Sequence, residues 1–202
     1  MEGLKREVII ESLHTQGTHM KLLIAGGTGF VGQALVTDLK KSHQITVLSR
    51  NSKKSLKLFL NIATAEWTDK NLKNIVADVD VVINLVGENI GEKRWSSATK
   101  SKIINTRTIA TKKLCNIIQS IDKENRPRLF NANAIGIYGL QKTLQQQNDT
   151  IYSEESKLPT PPSDFLSSVG RDWELPLHES NELDIVKLRF SVILDPAGGM
   201  LK

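Results

Sequence analysis

Cysteine is nearly absent from the chain of 202 residues: Cys115 stands alone, which excludes an intrachain disulfide. Its neighbours Leu114, Ile117 and Ile118 predict a packed, inert thiol of a reducing, cytoplasmic compartment. Aromatic residues make up only 5%, and the Lys and Arg residues behind the net charge of +5 are scattered, so nucleic acid is not an expected partner. No apolar run approaches the length that spans a bilayer, so neither is a membrane. His14, His19, His43 and His178 lack the spacing of metal ligands, and no metal is expected. The nucleophile turn Gly-x-Ser-x-Gly of a serine hydrolase is missing as well. Residues 1–19 place Glu2, Lys5, Arg6, Glu7 and Glu11 around Val8, Ile9 and Ile10, which fits neither a secretory leader nor an acid-poor transit peptide. They read as an accessory, poorly ordered extension.

What the chain does hold is core material, with 39% hydrophobic and 24% charged residues, and a cluster of glycines early on. Lys21 to Ala25 is a short apolar run expected as a buried strand. It breaks into Gly26, Gly27, Thr28, Gly29, Phe30, Val31 and Gly32, after which Phe30, Val31, Ala34, Leu35 and Leu39 recur at helical spacing up to Lys41. Gln44 to Leu48 is a second apolar strand. Gly27, Gly29 and Gly32 form G-x-G-x-x-G, while Gly26, Gly29 and Gly32 form G-x-x-G-x-x-G; both spacings fit one turn. Glycine suits such a turn because the backbone must bend sharply and approach a pyrophosphate with no Cβ between them. The following helix then directs unpaired N–H groups at the phosphates. Strand, glycine turn, helix and strand together make the βαβ unit of a dinucleotide site.

The choice of dinucleotide is written at the end of the second strand, 18 residues past Gly32. An NAD site keeps an Asp or Glu there for the ribose 2′-hydroxyl, and this chain has Ser49-Arg50-Asn51-Ser52-Lys53-Lys54 instead. Arg50, helped by Ser49, Lys53 and Lys54, suits a 2′-phosphate, so NADP(H) is the expected cofactor; a solvated basic loop is the plainer alternative.

Further strands are expected at Asn61–Trp67, Asp80–Val86, Arg128–Ala134 and Asp184–Leu194, with helices at Asn71–Ala77, Arg94–Ile121 and Ser163–Ser180, the last capped by Ser163. The Arg94–Ile121 stretch has Trp95, Ala98, Ile104, Leu114, Ile117, Ile118 and Ile121 as apolar residues, most of them expected in the core. The strand at Asp80–Val86 would deliver Leu85 and Gly87 beside the ligand crevice. Leu140–Pro162, with Gln145, Gln146 and Gln147 in a row and prolines at 159, 161 and 162, reads as a long surface loop.

Taken together, the glycine turn, NLVGENI, KRW, the IGIYG turn, DFLSSVGRDWE and LRFSVILDPAGGML resemble the atypical extended short-chain dehydrogenase/reductase family, NAD-dependent epimerase/dehydratase-like, of the YfcH type. The resemblance runs from Met20 to Lys202. It implies an α/β fold with a doubly wound parallel sheet, the NAD(P)-binding Rossmann fold, with six strands ordered 3-2-1-4-5-6 and NADP(H) bound. It also places Glu88, Asn89 and Arg107 around the cofactor crevice. The expected organisation is one Rossmann domain over residues 20–202, without the family's carboxyl-terminal substrate domain. Exposed apolar surface would then be covered by pairing into a homodimer.

Dehydrogenases of this fold pair a Tyr with a Lys four residues on, on the helix after the fifth strand, where both share one face. Here that helix reads Phe165-Leu166-Ser167-Ser168-Val169-Gly170-Arg171 and has neither. Tyr138 and Lys142 have the spacing, but Gly139 argues against the helix that would align them. The family turn has a serine where this chain has Asn133. Asn133 and Tyr138 are therefore the expected groups for polarising a substrate oxygen, of a carbonyl or sugar-nucleotide-like small molecule. Two functions remain open: an NADP-dependent reductase or epimerase-like enzyme, and a non-catalytic NADP-binding or scaffold protein.

Overall fold

The computed structural model describes residues 19–91, 94–139, 151–195 and 198–199. The extension up to residue 18, Lys54's side chain, Lys142 and the triple glutamine lie outside them. Six parallel strands form one sheet: β1 (Lys21–Ala25), β2 (Gln44–Ser49), β3 (Ala63–Glu66), β4 (Val81–Asn84), β5 (Arg128–Ala134) and β6 (Ile185–Phe190), ordered β3-β2-β1-β4-β5-β6. The order reverses between β1 and β4, and in open sheets of this kind ligands bind outside the carboxyl ends of the strands at such a switch point. Register is set across it, with Leu22 opposite Val81 and Ala25 opposite Asn84.

The inner strands β1, β4 and β5 alternate between two buried faces, as a sheet covered on both sides requires. Leu22, Ile24, Ile45, Val47, Val81 and Ile83 point to one face, where Leu35, Val36 and Leu39 of α1 (Phe30–Leu39) cover them. Leu23, Ala25, Leu48, Val82 and Leu129 point to the other. There they meet Leu72 and Val76 of α3 (Leu72–Ala77), Leu114 and Ile118 of α4 (Ser97–Gln119), and Leu177 of α5 (Phe165–His178). Cys115 is buried among them, and burial raises its thiol pKa.

The elements differ from expectation mainly at their ends. Helix α4 starts three residues later than predicted because Ser96 is its cap, accepting a hydrogen bond from the Thr99 N–H at 3.2 Å. Trp95 consequently lies outside the helix, 41% exposed rather than in the core, with its indole N–H donating to the Ile90 carbonyl. Helix α5 is capped by Asp164, not Ser163: its carboxylate accepts from the Ser167 N–H at 2.9 Å while Ser167 Oγ accepts from the Asp164 N–H at 3.0 Å. The basic stretch after β2 folds into a further helix, α2 (Ser52–Leu58), which carries Lys53 out of the expected loop. The last strand is shorter than Asp184–Leu194, and beyond it β7 (Leu194–Asp195) pairs antiparallel with β8 (Gly198–Gly199).

Candidate dinucleotide-binding site

Backbone geometry singles out Gly26, Gly29 and Gly32. Gly26 has φ +82°, and a Cβ there would lie 2.8 Å from the carbonyl carbon and oxygen of Leu85. A Cβ on Gly32 would strike the Gly26 carbonyl oxygen and come within 2.6 Å of Gly27 Cα. The turn is closed by Gly29 N–H donating to the Gly26 carbonyl at 2.9 Å. No side chain caps α1, and its first internal bond runs from Gln33 N–H to the Gly29 carbonyl. Helix geometry therefore leaves the N–H groups of Phe30, Val31 and Gly32 without an intrahelical acceptor. Thr28, beside them, is half-buried, and its carbonyl accepts from the Gln33 amide at 3.0 Å.

At the end of β2, Ser49 Oγ accepts from the Asn51 N–H at 3.0 Å and donates to the Asn51 carbonyl, which shapes the turn that carries Arg50. Arg50 and Lys53 are exposed. Glu66, at the end of β3, accepts from the Ser52 N–H at 2.9 Å. That backbone hydrogen bond, with one from the Ser52 side chain and the charge of Lys53, holds its carboxyl below the usual range.

At the end of β4 the turn through Leu85, Val86 and Gly87 is braced from below. Leu85 N–H donates to the Ala25 carbonyl at 2.8 Å, and Val86 N–H donates to Asn84 Oδ1 at 3.2 Å. The Asn84 amide in turn donates to Thr111 Oγ1 at 3.0 Å and Asn131 Oδ1 at 2.6 Å, and Thr111 Oγ1 also accepts from the Trp173 indole at 3.1 Å. Glu88 and Arg107, expected as cofactor groups, hold this loop. Arg107 Nη1 donates to the Glu88 carbonyl at 3.0 Å and the Ile103 carbonyl at 2.9 Å, its guanidinium lies over the Trp173 ring, and Glu88 pairs with Lys102 at 2.7 Å. Burial lowers the Arg107 pKa to about 10, with Glu88 opposing the shift. A Cβ on Gly87 would meet the Arg107 guanidinium carbon at 2.8 Å, so the loop lies directly on it.

The two expected catalytic groups, Asn133 and Tyr138, both have partners within the chain. Asn133 is 2% exposed; its amide donates to the Gly170 carbonyl at 3.1 Å and to Glu174 Oε1 at 2.7 Å, and its oxygen accepts from the Ala134 N–H. Tyr138 is 9% exposed; its hydroxyl donates to the Ser153 carbonyl at 2.8 Å and accepts from Arg189 Nη1 at 2.7 Å, and its ring stacks on Tyr152. Both side chains belong to a buried network centred on Glu174. Arg189 grips that carboxylate with two bonds, Nε to Oε1 at 3.0 Å and Nη2 to Oε2 at 3.1 Å, and Lys187 approaches at 3.4 Å. Burial alone would raise the Glu174 pKa, but the Arg189 hydrogen bond and the neighbouring cations outweigh it and hold it below the ordinary value. The network was missed in the sequence, although a carboxylate one turn past Gly170 and beside Trp173 on the apolar face of a helix is a signal of a buried charge.

A model of the NAD dependent epimerase/dehydratase family matches residues 22–164. An epimerase family protein of Staphylococcus haemolyticus is 36% identical over 186 residues, covering 90% of this chain and 58% of its own length. One from Staphylococcus saprophyticus is 36% identical over 183 residues, with 89% and 57% covered. The chain thus spans little more than half the length of these relatives. Among solved structures, a UDP-N-acetylglucosamine 4-epimerase from Methanobrevibacter ruminantium, in complex with UDP-N-acetylmuramic acid, superposes with a TM-score of 0.63 at 21% identity, covering 90% of this chain and 59% of that one. The dTDP-glucose 4,6-dehydratase of Bacillus anthracis in complex with NAD gives 0.57 at 21% identity, over 84% and 54%. At that identity the likeness is one of fold.

Proposed function

Because the chain belongs to the NAD-dependent epimerase/dehydratase family, we propose that it binds NADP(H) and serves hydride transfer to a carbonyl or sugar-nucleotide-like substrate. The observation that carries this reading is the Gly26–Gly32 turn. It is closed so tightly that a Cβ at Gly26 or Gly32 would strike backbone, and it presents an uncapped helix start at the switch point of the sheet. Such a cradle fits a pyrophosphate, which would be held by the N–H groups of Phe30, Val31 and Gly32. Arg50, with Ser49 and Lys53, would meet the 2′-phosphate, and the backbone of Leu85, Val86 and Gly87 would line the far wall. When bound, the dinucleotide supplies a hydride donor or acceptor. The chain's own residues orient it and keep the β4 loop in place through Glu88 and Arg107.

The substrate class rests on relatives whose names are those of nucleotide-sugar enzymes. A second reading is favoured by the commitment of Asn133 and Tyr138 to internal hydrogen bonds: a cofactor-binding protein without turnover of its own. Calorimetric titration of NADPH and NADH into the full chain tests the cofactor assignment. The expected result is NADPH binding that weakens about tenfold, roughly 1.4 kcal/mol, in Arg50→Ala. Absence of binding by the folded protein overturns it. Loss of NADPH absorbance in the presence of carbonyl substrates separates the enzyme from the binding protein.

A further inference from the structure

Residues that read the ribose in this fold are sought at the end of β2, where no acid stands. The sheet supplies one from its neighbour. Ser49 is in register with Glu66, so the carboxyl ends of β2 and β3 lie side by side, and the Trp67 N–H donates to the Ser49 carbonyl at 3.3 Å. Glu66 is tied to the same turn that bears Arg50, because its Oε1 accepts from the N–H of Ser52, two residues further on. Arg50 and Glu66 thus flank one short turn with opposite charges.

We propose that Glu66 is a specificity-determining residue, supplying from the end of β3 the negative charge and acceptor oxygens that β2 lacks, and so opposing Arg50 in the choice between a 2′-phosphate and a free 2′-hydroxyl. This rests on the cofactor reading above. The hydrogen bond from Ser52 favours the ionised form, so the charge is present at neutral pH. A carboxylate repels a phosphate and accepts hydrogen bonds from a hydroxyl, so it works toward NADH, while the guanidinium works toward NADPH. Neither residue is deeply buried, so the opposition weakens as salt is added.

Glu66→Gln isolates the charge, since the amide oxygen still accepts from the Ser52 N–H and keeps the start of α2 in place. Calorimetric titrations of NADPH and NADH into the full-length wild type and this variant are expected to show the NADPH-to-NADH affinity ratio rising about fivefold or more at low ionic strength, with the gain shrinking at high salt. Glu66→Asp keeps the charge but shortens the reach to Ser52, so a wild-type-like ratio in that variant assigns the effect to charge rather than to the helix start. A folded Glu66→Gln that binds both dinucleotides with an unchanged ratio overturns the proposal while leaving the cofactor reading intact. A folded wild type that binds neither overturns both.

Discussion

At the β1–β2–β4 end of the sheet, the groups that face the carboxyl edge are backbone N–H groups around the glycine turn and exposed side chains such as Arg50. At the β5–β6 end they are side chains that already satisfy one another: Asn133, Tyr138 and Arg189 all turn inward on Glu174 or on the Ser153–Glu154 backbone. The first end owes its shape to the absence of side chains. The second owes its shape to a buried charge. The proposed cofactor site and the buried charge therefore lie at different ends of one edge, and substitutions in each should separate their effects.

The largest effect is expected from Glu174→Ala. Glu174 is 1% exposed, and its removal takes the carboxylate from Arg189 Nε and Nη2 and one of the two acceptors from the Asn133 amide. A buried pair broken on one side costs about 3–5 kcal/mol, to be read as a lower urea midpoint. The same carboxylate predicts a pH dependence. Its folded pKa lies below the unfolded value of about 4.3, so its stabilisation is complete above that pH and is lost as pH falls through the depressed folded value. Acid unfolding of Glu174→Gln should lack this component; an unchanged acid limb would show that Glu174 is not the group that titrates.

Gly32→Val strikes the other end. The added carbons meet the Gly26 carbonyl and the Gly27 backbone, which have no rotamer to yield, so about 2–3 kcal/mol of stability is expected to go along with NADPH binding. Gly27→Ala makes the milder comparison, because its Cβ presses on the Val47 side chain, at 3.0 Å, and reaches backbone only at the ordinary contact distance of 3.5 Å to the Ile24 carbonyl. Equal losses in the two variants would mean that the turn closes less tightly around Gly32 than its geometry requires.

This contrast also governs how much could be read without coordinates. The run Leu22–Ala25, the three glycines and the spaced apolar residues of α1 are neighbours in the chain, so a local pattern carries them, as apolar runs carry the other strands, while the strand order followed from the family resemblance. Helix α2 was not legible because SKKSLKL has two leucines on five polar positions; it forms over Glu66 and beside β2, contacts made at long range. The brace under Gly87 joins Asn84 to residues 27 and 47 positions away, and the Glu174–Arg189 pair joins a helix to the next strand 15 residues on. Hydrogen-bond partners at such separations leave no periodic trace. The partners of Asn133 and Tyr138, 15 to 41 residues away at Ser153 and Glu174, are of the same kind.

Tyr138→Phe is the smallest change and separates the two ends most finely. It keeps the ring that stacks on Tyr152 at 4.9 Å and deletes only the hydroxyl, which bridges Arg189 to the Ser153 carbonyl. Arg189 retains Glu174 and the Glu154 carbonyl, so the charge centre survives and the net cost should be about 1 kcal/mol. Local hydrogen exchange tells more than the midpoint. Amides of residues 152–156, fastened to the sheet through that hydroxyl, should lose protection while those of β1 and β4 keep theirs, and NADPH affinity should stay within about twofold. A larger drop in affinity would place the Tyr138 hydroxyl among the cofactor-binding groups.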